Sequence, residues 1–153
     1  MSEQRLLRAE DLSVGQQLGL GEYLVTEQEI LDFAGQWDPQ PFHIDKNFAA
    51  SGYFGGVIAS GVHTLGIFQR LAVLGAYRRW DLIAGRAIRD IQLLQPVRPG
   101  SLLRGSLMVQ RVSMTHPDRA LVTKLGQLTE DGATTMTVQL DAYVRRHRSP
   151  PAT

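Results

Sequence analysis

The sequence predicts an α+β domain of two layers, in which a single antiparallel sheet wraps around one long helix. Two observations support this fold class. The first half has helical apolar spacing, including a run from about 60 to 79 that is apolar on most sides and therefore predicts a largely buried helix. The second half changes to strand-like alternation, with a turn signal roughly every ten to fifteen residues. We expect one domain over residues 1–146 and a flexible C-terminal tail over 147–153.

Composition narrows the possible classes of protein. The chain has 153 residues, a net charge of +1 and 20% charged residues, so nothing indicates a nucleic-acid partner. The absence of cysteine excludes disulfides, thiolate metal sites and a cysteine nucleophile. The N-terminus has no apolar run typical of a signal peptide, and no segment approaches the ~18 apolar residues that span a bilayer. We therefore expect a cytoplasmic protein without a membrane partner.

The first helix is predicted within VTEQEILDFAGQW, after a weak strand around GQQLGLGEYLV. Thr26 followed by Glu29 is typical of a capping box, in which each side chain satisfies a backbone N–H of the other residue. Pro39 and Pro41 end the helix, because neither can donate the helical hydrogen bond. KNFAASGYF then allows a short helical turn. The apolar stripe of the helix contains Ile30, Leu31, Phe33, Ala34 and Trp37.

Four strands are predicted after the long helix, at 83–97, 101–114, 120–131 and 133–146. Within the helix, Gly66 and Gly75 lower helix propensity, which is explained if a sheet packs closely against them. The last strand alternates strictly, and its apolar face contains Met136, Val138, Leu140, Ala142 and Val144.

The candidate catalytic residues lie in WDPQPFHID, residues 37–45, where Asp38 and His43 are part of a loop that contains two prolines. A loop restricted by proline loses little further entropy on ordering, so the carboxylate and the imidazole are preorganised. Such a pair can accept one proton while delivering another. The residues alone leave a second interpretation open, in which Asp38 caps a turn and His43 is a packed, hydrogen-bonded histidine.

The segment FGGVIASGVHT leads directly into the N-terminus of the long helix. Helix N-termini present unpaired N–H groups, and Gly61 would let a ligand approach that backbone closely. An acid–base pair beside such a donor suggests chemistry next to a carbonyl whose developing oxyanion is stabilised. Alternatively, Gly61 only permits helix–sheet packing. Ser60 is predicted as the N-cap, with ligand contact as a further possibility.

Taken together, DPQPFHID, FGGVIASGVHT and the later IQLLQPVRPGSLL resemble the MaoC-like dehydratases, the (R)-specific enoyl-CoA hydratase (hydratase-2) group. The resemblance runs from about residue 26 to 105, with a continuation to 146. It implies a hot-dog fold and the reversible syn addition of water to a trans-2-enoyl thioester, giving a 3-hydroxyacyl thioester. The substrate would be an acyl-CoA or an acyl-carrier thioester, with no other cofactor.

The resemblance also implies roles for individual residues. Asp38 and His43 match the family's catalytic pair, and Gly61 matches the residue whose backbone N–H forms the oxyanion hole. Gln40 departs from the family's D-x-N-P-x-H pattern, which leaves the acyl group open. Relatives with this fold usually pair their sheets, which removes an exposed edge, so we expect a homodimer or a dimer-based oligomer.

The remaining candidate residues carry weaker expectations. Asp45 is expected to cap a turn, and His63 to pack or hydrogen-bond, with substrate contact as the alternative. A metal site formed by His43, Asp45 and His63 is conceivable, but we expect none. His116 and His147 receive no role. Five arginines could contact CoA phosphates or simply be surface charges: Arg78, Arg79, Arg86, Arg89 and Arg98.

Two other functions remain open at this stage. The first is an acyl-CoA thioesterase on the same fold, in which one carboxylate attacks the carbonyl or activates water against it. The histidine at the fifth position after the acid argues for hydration instead. The second is a non-catalytic module that binds acyl thioesters.

Overall fold

The computed structural model describes residues 3–147, which form five strands, four α-helices and two 3-10 turns. The strands make one antiparallel sheet in the order β1-β3-β4-β5-β2. This confirms the α+β fold class with a long helix against a curved sheet. The strands are β1 (Gln17–Leu24), β2 (Leu82–Leu93), β3 (Leu102–Ser113), β4 (Arg119–Glu130) and β5 (Ala133–Arg145). The helices are α1 (Glu27–Trp37), α2 (Pro41–Ile44), α3 (Lys46–Ala50) and α4 (Gly61–Gly75), and the 3-10 turns are Ala9–Asp11 and Tyr77–Arg79.

Most of the predicted tail, residues 148–153, lies outside the described residues. His147, which the prediction assigned to the tail, donates its backbone N–H to Glu10 Oε1 at 3.0 Å. Within residues 3–147, no helix is both long and apolar enough to cross a bilayer.

The core lies between α4 and the inward side chains of the sheet. Burial alternates along β3, β4 and β5, which confirms the alternation predicted for the last strand, and their buried positions include Leu103, Leu107, Val122, Leu128, Met136 and Val138. A Cβ on Gly126 would lie 2.3 Å from the Phe68 ring, so only glycine lets this helix side chain reach the sheet. The predicted turn between β4 and β5 is a tight one, with positive φ at Asp131 and Gly132.

Helix α4 is shorter and less buried than the sequence predicted. It ends at Gly75, where a Cβ would lie 2.9 Å from Leu20 Cα, and this confirms the predicted close approach of the sheet. Gly66 has no neighbour within 4 Å, so the same prediction is wrong there. The prediction of a largely buried helix is also wrong for one face, because a single curved sheet covers only the other. Exposed apolar side chains on the uncovered face are Val62, Val73 and Leu74.

Helix α1 differs from its prediction in two details. Trp37, expected in the buried stripe, is 67% exposed because the sheet does not extend over the end of α1. Thr26 Oγ1 accepts from Glu29 N at 3.2 Å, which confirms half of the capping box. The Glu29 carboxylate instead accepts from the Tyr23 hydroxyl at 3.0 Å and from the Thr26 hydroxyl at 3.3 Å.

Strand β2 forms one edge of the sheet and is poorly covered by the rest of the chain. Every residue along it is at least partly exposed. Its exposed side chains include four large apolar ones, which are Ile83, Ile88, Ile91 and Leu93. A bare edge strand with apolar side chains is a surface on which another chain can pair.

Lys124 is the one buried lysine among the described residues, and it points from β4 into the core at 2% exposure. Its Nζ donates to Tyr77 Oη at 2.8 Å. Burial lowers the pKa of Lys124 from 10.5 to about 8. A pKa difference of this size corresponds to about 3 kcal/mol by which burial penalises the ammonium. The charge therefore destabilises the fold at neutral pH.

We expect Lys124→Met to raise the free energy of unfolding at pH 7 by about 1–3 kcal/mol, because it replaces a buried charge by an apolar side chain of similar size. Between about pH 8 and 10.5 the unfolded chain holds a proton that folded Lys124 has lost, so wild-type stability should rise with pH. The difference between the two proteins should therefore shrink over this range. Denaturant unfolding at a series of pH values tests this, and a pH-independent difference would contradict it.

Candidate active site

The two prolines position Asp38 and His43 on either side of a sharp change of direction. Asp38 is the C-cap of α1, and its backbone N–H donates to Ala34 O at 2.8 Å. Pro41 also begins α2. It lies in the first turn of that helix, where the missing N–H costs no hydrogen bond. His43 lies on this single-turn helix. The expected loop is therefore partly helical, and it returns the histidine towards the aspartate.

His43 is buried, at 4% exposure, and its orientation is defined by one backbone contact. Its Nδ1 lies 2.6 Å from the carbonyl oxygen of Ile58. A carbonyl can only accept, so Nδ1 carries a proton and donates. In the neutral ring Nε2 is then free to accept, and it lies 3.5 Å from Asp38 Oδ2. This separation is longer than a good hydrogen bond, so both atoms remain available to a third group.

Asp38 is held by two side-chain donors. The Ser60 hydroxyl donates to Oδ2 at 2.7 Å, and Gln40 Nε2 donates to Oδ1 at 2.8 Å. The Ser60 hydrogen bond, followed by that from Gln40, holds the pKa of Asp38 below its ordinary value. Asp38 is therefore a carboxylate at neutral pH, oriented by contacts on both oxygens.

Gly61 is the first residue of α4, directly after the N-cap Ser60. Ser60 Oγ accepts from Val62 N at 3.3 Å and so satisfies one N–H of the first turn. The N–H of Gly61 has no intrahelical partner, and the residue lines the main cavity. A developing negative charge at this point would also be stabilised by the helix dipole.

Asp38, His43 and Gly61 line one cavity of about 750 Å³. Gln40, Thr64 and Gln95 also line it, and most of its wall is apolar. Phe54, from the glycine-rich bend, is held over the cavity by Arg98 Nη1, which donates to the Phe54 carbonyl at 2.7 Å. The opposite wall belongs to β2 and the loop that follows it. The apolar lining includes Phe42, Phe54, Ile58, Val62, Leu65, Ile91, Leu93, Leu94 and Val97.

The other predicted residues lie behind the cavity wall. Ser60 is fully buried and contacts Asp38, as described. His63 stacks on Phe33, with ring centroids 4.7 Å apart, and its Nε2 lies 3.3 Å from Glu29 Oε1. Burial lowers the pKa of His63. Neither Ser60 nor His63 lines the cavity.

Asp45 accepts from Phe48 N at 3.0 Å and caps α3, which confirms its predicted role. Among residues 3–147, no group of three or more histidine, aspartate or glutamate side chains is arranged to hold a metal ion.

Sequence reasoning missed the residues that hold the pair in place. Gln40 was noted only as a departure from a family pattern, although an amide two residues after an acid is a frequent local partner. The carbonyl of Ile58 carries no side-chain signal. The β2 wall was also missed, because Ile91 and Leu93 read as ordinary strand residues until α4 is placed beside them.

We expect Ser60→Ala to raise the pKa of Asp38, because it removes the hydrogen bond that lowers that pKa most. The acid limb of the pH–rate profile should then move to higher pH. Thr26→Ala is the matched control, since it also removes a helix N-cap but does not contact Asp38. Profiles of kcat/KM for wild type and both variants check this. Equal acid limbs in all three proteins would show that Ser60 does not tune Asp38.

Comparison with known proteins supports the relationship suggested by the sequence. The family profile described as "MaoC like domain" matches residues 11–136. The uncharacterized protein YdeM of Bacillus subtilis (strain 168) is 33% identical over 93 residues, which are 61% of this chain and 66% of that protein. This chain's match thus spans about two thirds of the relative's length.

Two solved structures are similar over nearly the whole chain. The MaoC-like dehydratase from Rhodospirillum rubrum has a TM-score of 0.83 and 33% identity, covering 94% of this chain and 99% of that one. The R-hydratase PhaJ1 from Pseudomonas aeruginosa has a TM-score of 0.71 and 20% identity, covering 95% of each chain. The second likeness shows the shared hot-dog fold alone.

Proposed function

The chain belongs to the MaoC-like dehydratase family, and on that premise we propose that it is a hydro-lyase acting on enoyl thioesters. It would add water reversibly to a trans-2-enoyl thioester and release a 3-hydroxyacyl thioester. One observation carries the proposal: the carboxylate of Asp38, the imidazole of His43 and the N–H of Gly61 line a single, largely apolar cavity. The apolar wall suits an acyl chain, and the three polar groups suit the reacting atoms.

The positions of Asp38, His43 and Gly61 support a mechanism with two proton transfers. The thioester carbonyl oxygen accepts from Gly61 N–H, which stabilises the enolate-like charge that forms when the oxygen of water adds to C3. Asp38 and His43 Nε2 together contact that water and accept the proton it loses. The pair then returns one proton to C2 from the same side. One water is consumed, and the addition is syn because both groups lie on one wall.

A screen of trans-2-enoyl-CoAs with different chain lengths tests the proposal. Loss of the conjugated double bond is followed by its ultraviolet absorbance, and we expect turnover with at least one member. Two results would overturn the proposal. Release of free CoA from saturated acyl-CoA without hydration would favour the thioesterase. Tight binding of every thioester without turnover would favour the non-catalytic binding module.

We also expect a homodimer or a dimer-based oligomer. The edge strand β2 and the uncovered face of α4 both expose apolar side chains, including Ile88 and Val62. A second copy would cover both and would satisfy the free edge of β2. Light scattering at micromolar concentration should give at least twice the mass of the chain. A monomeric mass would contradict this expectation.

A further inference from the structure

A second cavity, of about 510 Å³, lies beyond the catalytic cavity along the groove between α4 and β2. On α4, Leu65 lines the first cavity and Gln69, one turn later, lines the second. On β2, Ile91 lines the first and Ile88 the second. On both walls, therefore, residues only three or four positions apart line the two different cavities. An acyl chain whose first carbon lies at Gly61 and that runs along α4 reaches the level of Gln69 after about 12 Å.

Lys124 lines the second cavity, and its ammonium has few partners. Nζ donates to Tyr77 Oη at 2.8 Å and lies 4.0 Å from the centroid of the Tyr77 ring. Among residues 3–147, no side-chain carboxylate lies within 4.0 Å of Nζ. Asp141 also borders the cavity, but its Oδ1 already accepts from Arg89 at 2.8 Å and from Thr123 at 2.9 Å.

The charge of Asp141 raises the pKa of Lys124 but does not offset the larger effect of burial, and Asp141 is already hydrogen-bonded to Arg89 and Thr123. An anion that enters the cavity would therefore relieve the cost of burying the ammonium. Three further donors border the same space. Burial raises the pKa of Tyr77, so its hydroxyl keeps a proton that it can donate. Gln69 and Arg86 contribute an amide and a guanidinium. The remaining wall is mostly apolar, including Leu82, Ala87 and Leu140, which suits the hydrocarbon part of an acyl chain.

We propose that the acyl group of the substrate carries a free carboxylate at the end distant from the thioester, and that Lys124 binds this carboxylate. The inference rests on the proposed function, since it places the thioester carbonyl at Gly61 and the acyl chain in the groove between α4 and β2. It narrows the substrate from enoyl thioesters in general to those derived from dicarboxylic acids. The acyl chain of such a substrate must be long enough to reach from one cavity to the other.

Paired substrates test the inference. Each trans-2-enoyl-CoA of a length series is compared with the enoyl-CoA of the same length that ends in a carboxylate instead of a methyl group. A charge-assisted hydrogen bond in a buried site predicts that wild type prefers the carboxylate-ended member by at least about 10-fold in kcat/KM at the best length. In Lys124→Met the preference should reverse in favour of the methyl-ended member. Because both substrates are compared within one protein, partial misfolding of the variant cannot produce this reversal.

Lys46→Met is the matched control, because Lys46 is an exposed lysine that pairs with Glu27 and lines neither cavity. Its preference should equal that of wild type. A wild-type preference for methyl-ended chains at every length, or a ratio unchanged by Lys124→Met, would overturn the inference while leaving hydration intact. If wild type hydrates no enoyl-CoA, the proposed function fails. Calorimetric dissociation constants for the two corresponding saturated acyl-CoAs then decide the inference, which requires tighter binding of the carboxylate-ended one.

Discussion

Asp38→Asn and His43→Gln are each expected to lower kcat for hydration at least about 100-fold, because general acid–base catalysis contributes about 10²–10⁴-fold. Asparagine keeps an oxygen that can accept from Ser60 Oγ, but it carries no charge to attract a proton. Glutamine keeps a polar group near the Ile58 carbonyl, but it cannot exchange a proton at the position of Nε2. Neither change removes apolar contact area from the cavity, so thioester affinity should be nearly unchanged.

The double variant makes this prediction sharper. If Asp38 and His43 act on the same water, removing the second group after the first should lower the rate far less than the product of the single effects. Steady-state kinetics on the best enoyl-CoA, together with thermal unfolding of all four proteins, provide the data. Single variants that fold and retain more than half of the wild-type rate would mean that the pair is structural.

Gly61→Pro is expected to lower kcat by about 10²–10³-fold, the effect typical of losing one oxyanion-hole donor. Proline removes the backbone N–H and is well tolerated at the first position of a helix. Ser60 already has φ −57° and ψ 143°, a conformation that suits the residue before a proline. The substitution therefore deletes the proposed donor with little change in the backbone.

Gly61→Ala is the control for this variant, because alanine adds a Cβ at the same place but keeps the N–H. In both variants the added carbon would lie 2.4 Å from Leu93 Cδ1, so the same leucine must move. The informative quantity is thus the ratio of kcat between the two variants. A ratio near one would show that the Gly61 N–H does not stabilise the transition state, and the oxyanion site would have to be sought elsewhere along the cavity.

Local patterns in the sequence predicted most of the helices and strands and the residues that we propose as reacting groups. Strict alternation predicted β5, because the side chains of a strand point to opposite faces with period two, and regularly spaced turn signals predicted the strands before it. Proline spacing marked the position where Asp38 and His43 stand free of α1. The small residues before the long helix marked Gly61 at its N-terminus. Each of these signals depends only on neighbours in the chain.

The burial of Lys124 could also have been predicted from the sequence. In LVTKLGQL it occupies the same strand face as Val122 and Leu128, so alternation alone places it in the core. A charged side chain at an inward position is unusual enough to indicate a site. What alternation cannot supply is the partner of the ammonium, because Tyr77 comes from a turn 47 residues earlier.

The sequence by itself therefore determined the fold class and the family and predicted the residues proposed as the catalytic pair, whereas the tertiary structure decided how the site is held together and how far it extends. Ser60 reaches Asp38 across 22 residues, and the Ile58 carbonyl reaches His43 across 15. The β2 wall, which includes Leu93, joins the site from still further along the chain. Periodicity reports which face of an element is apolar, but not what covers it. Only the packing of α4 against the sheet brings these groups together and leaves one face of α4 exposed.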